Sequence, residues 1–153
     1  MQIQTPEKSE IFWTARRAAF GAISKLKGNV ITEDVAVPRV HIPALVRGIK
    51  NINEKYALTA SIMGHAGDGN IHPNYALDFD DIEEMTRFYR AKDELFKLAL
   101  SLGGTLSGEH GIGFEKAHYL RNAIGVHVYD ISKQIKQIFD PKNLMNPAKL
   151  FTE

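Results

Sequence analysis

Apolar residues alternate between two rhythms along this chain. In "TPEKSEIFWTARRAAFGAISKL" they recur every three or four positions, and Phe12, Ala15, Ala19, Ala22 and Leu26 predict one buried stripe of a helix. Thr5 suits its N-cap and Pro6 its first turn, Gly28-Asn29 ends it, and Trp13 and the phenylalanines read as core. The β-branched run Val30 to Val37 predicts a strand, stopped by Pro38. Pro43 opens a second helix with Leu45, Ile49 and Ile52 on one face. "ALTASIMGH" and "NIHPNYAL" predict two strands joined by a turn at Asp68-Gly69. A long helix begins near Asp80-Asp81, presents Ile82, Met85, Phe88, Leu95, Leu98 and Leu102 to a core, and stops at Gly103-Gly104. "TLSG" (Thr105 to Gly108) predicts a short fourth strand, followed by helices near Lys116 to Ala123 and Val128 to Phe139 and an irregular tail after Asp140-Pro141.

The middle of the chain therefore reads β-α-β-β-α-β. The predicted class is α+β: a ferredoxin-like antiparallel sheet over about residues 30–107, flanked by an N-terminal helix and by a C-terminal helical tail over about 114–153. At 153 residues the chain is long enough for one domain with a real core, expected to span 1–153. Such a fold hosts many chemistries, so function has to come from the site.

Composition narrows the choices. A formal charge of +1 offers no electrostatic reason to expect nucleic acid. The absence of cysteine removes disulfides, iron–sulfur clusters and cysteine-ligated zinc from this chain. No apolar run approaches the roughly 20 residues of a transmembrane helix, and "MQIQTPEKSE" lacks the apolar core of a signal peptide. The expected setting is cytoplasmic.

Two glycine-rich segments carry the candidate chemistry. "GHAGDGNIH" puts His65 and His72 across a flexible turn, and "SGEHGIG" sets Glu109 beside His110. In the predicted topology these strand ends converge at one sheet edge. Two imidazoles and a carboxylate form a familiar ligand set for a divalent transition metal such as Zn²⁺, Fe²⁺ or Mn²⁺. Adjacent residues on a strand point apart, so a ligand role for one of Glu109 and His110 leaves the other free, and a free histidine suits a general base. Taken singly, a loop histidine is more often a surface or hydrogen-bonding group, the reading for His41, His118 and His127. Asp68 reads as turn chemistry, Asn74 as a strand-end residue or a ligand contact, and Arg16-Arg17 as solvated helix surface or as a carboxylate clamp.

"HAGDGNIHP", "SGEHGIGFEK" and "FDPKNLMNPAKLF", in that order, resemble the C-terminal part of FAD-linked oxidases, the family of glycolate oxidase, the D-lactate dehydrogenases and D-2-hydroxyglutarate dehydrogenase. "ARRAAFGAISKLKGNVITEDVAVPR" is most similar to the glycolate oxidase branch. The resemblance implies metal ligation by His65, His72 and Glu109, a catalytic base at His110, and substrate contacts from Asn74 and Arg16. Phe20 and Thr32 stand where the hydroxyglutarate branch has a threonine and a lysine, which argues for a smaller acid. The implied function is the substrate and metal side of an FAD-dependent enzyme that oxidises a small 2-hydroxy acid, glycolate or D-lactate in type, to the 2-keto acid. FAD would be bound mainly by a domain absent from this sequence, so the isolated chain is expected to be inactive. Implied partners are an FAD-binding domain or subunit and an iron–sulfur electron-acceptor subunit. A non-catalytic ferredoxin-like ligand- or metal-binding module is the alternative, and a metal-dependent hydrolase a third reading.

Overall fold

A computed structural model describes residues 5–151; the ends of the expected 1–153 unit, residues 1–4 and 152–153, lie outside the described residues. The elements run α1 (Pro6–Lys27), β1 (Asn29–Thr32), β2 (Val35–Ala36), a 3₁₀ turn (Arg39–His41), α2 (Ile42–Lys55), β3 (Thr59–His65), β4 (Asn70–Leu77), α3 (Ile82–Ser101), α4 (Ala117–Ile124) and α5 (Val126–Phe139). The result is a mixed helix and antiparallel-sheet arrangement, α+β as the pattern predicts.

β4 is the centre of the sheet and is buried along its whole length. β3 pairs with one edge of it, from Thr59 opposite Ala76 to His65 opposite Asn70. β1 and β2 share the other edge. Thr32 lies opposite Asn74 and Val35 opposite Ile71, so the register is unbroken and sets Glu33 opposite Pro73 and Asp34 opposite His72. The strand expected over Val30 to Val37 is nonetheless interrupted at Glu33-Asp34. Pro73 is the physical reason. Its carbonyl accepts from the Glu33 amide at 2.9 Å, but proline has no N–H to return the bond.

Alternation along β4 separates two faces. Ile71, Tyr75 and Leu77 point toward α2 and α3 and join two core clusters with Leu45, Ile49 and Ile52 of α2 and Phe88, Leu95 and Phe96 of α3. Each such large side chain contributes about 1.5–3 kcal/mol on burial. Asn70, His72 and Asn74 alternate with these and point the other way, and α1 contacts β4 and β1. The candidate chemistry therefore sits on the face that the main core does not use.

Several sequence expectations need correction. "TLSG" does not form a strand; only Thr105 makes an isolated bridge, to Ala36. In α3 the Asp81 carboxylate caps the Glu84 amide at 2.9 Å as expected, and Phe88 and Leu95 are buried with Met85, Leu98 and Leu102 packed partly buried against the core, but Ile82 is 80% exposed and the buried face also takes in Glu84, Ala91, Lys92, Phe96 and Ala99. The stripe on α1 is uncovered: Phe12 is 42%, Trp13 53% and Leu26 61% exposed, and Ile23 is buried instead. α5 buries no residue, and Ile131, Ile135, Ile138 and Phe139 are exposed. Among the described residues no helix is long and apolar enough to cross a membrane.

Candidate metal centre and substrate pocket

The β3–β4 hairpin ends on residues 66–69. The Gly69 amide donates to the His65 carbonyl at 3.1 Å and the Asn70 amide to the Asp68 carboxylate at 3.1 Å, so Asp68 is the turn residue the sequence suggests. Gly69 has φ +88°, and a Cβ there would lie 2.0 Å from the Val37 carbonyl oxygen. The hairpin can press against the segment after β2 only with glycine at this point. His65 closes β3 at the turn, and His72 lies two residues into β4.

Glu109 arrives from the segment after Thr105 and meets both rings. Its Oε1 lies 3.3 Å from His65 Nε2 and 3.0 Å from His72 Nε2. The two rings meet edge to face with centroids 5.4 Å apart, and the three donor atoms lie within 4.8 Å of one another. Metal–nitrogen and metal–oxygen bonds of about 2.1 Å put neighbouring ligand atoms about 3.0 Å apart at octahedral and about 3.4 Å at tetrahedral angles, so the two Glu109 contacts at 3.0 and 3.3 Å fit one shared divalent ion. The donor chemistry fits as well, and the set is open: the side chains of His65 and Glu109 are 44% and 53% exposed. Three protein ligands with solvent access leave coordination positions for a small molecule. His110 stacks on His72, with centroids 5.1 Å apart and planes at 20°.

Beside these rings lies a cavity of about 350 Å³ lined by Arg16, Arg17, Phe20, Thr32, Met63, His72, Asn74 and His110. Arg17 is occupied by an ion pair with Glu10, while Arg16 holds its guanidinium 6.0 Å over the Trp13 ring. Asn74 donates to the His72 carbonyl at 2.9 Å and accepts from the Thr32 hydroxyl at 2.8 Å, so its amide is already fixed in the pocket wall. A larger, open depression of about 860 Å³ beside α2 and β3, which includes Lys50, Asn53 and Glu54, gathers no histidine. His41, His118 and His127 stand apart from the site, on the 3₁₀ turn, α4 and α5.

The layer beneath the site escaped sequence reading. Asp34 is fully buried and accepts from the Ser107 hydroxyl and from the amides of Gly108, Glu109 and His110. Burial alone would raise its pKa, but the Ser107 hydroxyl, the His110 and Glu109 amides and the Lys116 charge together hold the carboxyl below the usual carboxylate range. Lys116 is also buried and donates to the carbonyls of Asp34 and Leu106, each at 2.8 Å. Burial pulls its ammonium below the ordinary lysine value, against the opposing pull of Glu33 and Asp34. Glu33 completes the group, 3.0 Å from Lys92 and 3.7 Å from Lys116. The available signal was a pair of adjacent acids inside a β-branched run, an arrangement a strand tolerates only when both are paired.

Comparison with known proteins places the chain in a family. Residues 1–150 match the family model described as FAD linked oxidases, C-terminal domain. The glycolate oxidase subunit GlcD of Bacillus subtilis is 42% identical over 150 residues, covering 98% of this chain and 32% of the relative. GlcD of Escherichia coli K12 is 33% identical over 138 residues, covering 90% of this chain and 28% of the relative. A mitochondrial D-lactate dehydrogenase [cytochrome] of Saccharomyces cerevisiae is 37% identical over 151 residues, covering 95% and 25%. The chain thus spans about a third or less of the length of these curated relatives, and it belongs to the family of C-terminal domains of FAD-linked oxidases.

Proposed function

We propose that this chain is the substrate- and metal-binding part of an FAD-dependent oxidoreductase that converts a small 2-hydroxy acid, of the glycolate or D-lactate class, to the 2-keto acid. The observation that carries the reading is convergence. Groups spread from residue 16 to residue 110 meet at one ligand set and one small cavity. His65, His72 and Glu109 would hold a divalent ion, which supplies Lewis acidity toward a bound hydroxyl and carboxylate. FAD supplies acceptance of the substrate hydrogen with its electron pair, and we assign it to no residue of this chain.

The chain's own groups do the rest. Arg16 supplies a cation at the cavity for the substrate carboxylate. A ring nitrogen of His110 accepts the proton from the 2-hydroxyl. Asn74 and Thr32 form a fixed polar wall, and Phe20 and Met63 limit the space beside it, which suits a two- or three-carbon acid. The unit is read as ferredoxin-like, with a core over about 30–107 and a helical tail over about 114–153. The exposed apolar residues of α1 and α5 are read as the faces that pack on an FAD-bearing domain or subunit, with an iron–sulfur electron-acceptor subunit as a further partner. Without such an acceptor the isolated chain does not turn over.

Elemental analysis of the purified chain, alongside His65→Ala and His72→Ala, tests the ligand set: stoichiometric metal should fall in both variants. With an FAD-bearing domain or subunit joined to the chain, His110→Ala should lower turnover about 10²–10⁴-fold. Unchanged turnover would refute the base assignment, and unchanged metal content the ligand set.

A further inference from the structure

We propose that Asp34 is a positioning residue for this site: one buried carboxylate sets both the segment that carries Glu109 and His110 and the ring of His72. The inference rests on the ligand reading above and extends it to a residue that touches neither substrate nor metal.

The register explains how Asp34 comes to be there. It stands opposite His72 across the β4 edge, between the bonded pairs that surround it, and such directly opposed side chains lie close on one face of the sheet. Its two oxygens have different work. Oδ2 gathers the Ser107 hydroxyl and the consecutive amides of Gly108 at 3.0 Å, Glu109 at 3.2 Å and His110 at 2.9 Å. This closes the loop around one point and fixes where the Glu109 and His110 side chains leave it. Ser107 reinforces the closure by accepting the Gly111 amide at 2.7 Å.

Oδ1 faces His72. It lies 3.7 Å from Nδ1, a buried ring nitrogen with no hydrogen-bond partner. An approach of about half an ångström makes an Nδ1–H···Oδ1 hydrogen bond. The other ring nitrogen, Nε2, is the one beside Glu109. A carboxylate behind a metal-binding histidine fixes the tautomer and the ring plane, leaving the opposite nitrogen free to ligate. Asp34, His72 and His110 also lie close enough to form a ligand group of their own. However, Oδ2 of Asp34 is saturated by four donors, and Oδ1 faces Nδ1 while sharing the Glu109 amide at 3.4 Å, so Asp34 supports the ligands instead of joining them.

The test uses Asp34→Asn, which keeps the shape and removes the charge, with Zn²⁺ as the probe. Competition against a chromophoric chelator should show about 10- to 100-fold weaker zinc binding in D34N than in the wild type. Nitrogen-15 NMR of the zinc-loaded wild type should show His72 protonated at Nδ1 and metallated at Nε2, a signature that a merely structural role does not fix. In the metal-free chain, amide exchange at Gly108, Glu109 and His110 should speed up in D34N. Equal zinc affinity in D34N, or zinc on Nδ1 of His72, overturns the inference while leaving the ligand reading intact. Absence of zinc uptake by the wild type overturns the ligand reading, and unchanged exchange in D34N then overturns the loop role as well. The nitrogen assignment needs no variant, so it decides the matter even if D34N does not fold.

Discussion

Replacing Lys116 by methionine isolates the function of its ammonium, which also lies 5.3 Å from the Phe96 ring centroid, because the replacement keeps an unbranched side chain of similar length. Two losses follow. The carbonyls of Asp34 and Leu106, each held at 2.8 Å, lose their shared donor, and an orphaned buried acceptor costs about 1–3 kcal/mol. Glu33 and Asp34 also lose a neighbouring cation, although Lys92 remains 3.0 Å from Glu33. One gain opposes them. Burial already pulls the Lys116 pKa down, so removing the charge relieves a desolvation cost and cancels much of the lost ion pairing. The hydrogen bonds then dominate, and the net cost is about 2–4 kcal/mol. With a urea m-value of about 2 kcal/mol/M the midpoint should fall by about 1–2 M at unchanged m. A fall under about 0.3 M would refute the view that Lys116 clamps the two segments together.

Tyr75→Phe should leave stability unchanged or raise it by up to about 1 kcal/mol, since the buried Tyr75 hydroxyl has no partner; a loss above about 1 kcal/mol in urea unfolding would show that it does. Glu84→Gln tests pH dependence. Burial alone would raise the Glu84 pKa, but the Lys27 ammonium and the Asp78 amide hold it below the usual range. A depressed carboxylate stabilises the fold above its unfolded value of about 4.3 and loses that contribution as pH falls through its folded value. The wild type should therefore exceed E84Q in urea midpoint near neutrality, and the gap should close below about pH 4; a gap constant down to about pH 2.5 would refute the assignment.

Elements whose cause is local were legible in the sequence. Asp81 and Gly103 bound α3 by capping chemistry, and the β3–β4 hairpin follows from alternation around Asp68-Gly69. His65, His72, Glu109 and His110 were visible because histidines within glycine-rich loops are chemically conspicuous. What escaped has a distant cause. The break at Glu33-Asp34 depends on Pro73 arriving opposite, which only the register reveals. Lys116 reads as a helix-start lysine until it is found bonded to a carbonyl 82 residues away. The stripe on α1 shows the converse: helical spacing specifies a helix but not a cover, and Phe12, Trp13 and Leu26 remain exposed.

The same register explains why the expected fourth strand stops after one rung. Ala36 exchanges both backbone bonds with Thr105, the Thr105 amide reaching the Ala36 carbonyl at 2.8 Å. Alternation points the polar backbone groups of Asp34 toward that same edge, where Leu106 and the residues after it would have continued the ladder. The Asp34 carbonyl instead shares the Lys116 ammonium with the Leu106 carbonyl, so two acceptors face one cation where a strand pair would set donor against acceptor. The amides of Gly108, Glu109 and His110 turn to the Asp34 carboxylate. Carbonyls and amides that could extend the sheet are thereby diverted, and the chain leaves it as a loop at the point where Glu109 meets His65 and His72. Extending the sheet through residue 110 would pair these amides in a ladder and alternate the side chains between faces, taking Glu109 or His110 away from His72. The interrupted edge and the candidate site are therefore one feature, held by a buried carboxylate and a buried lysine.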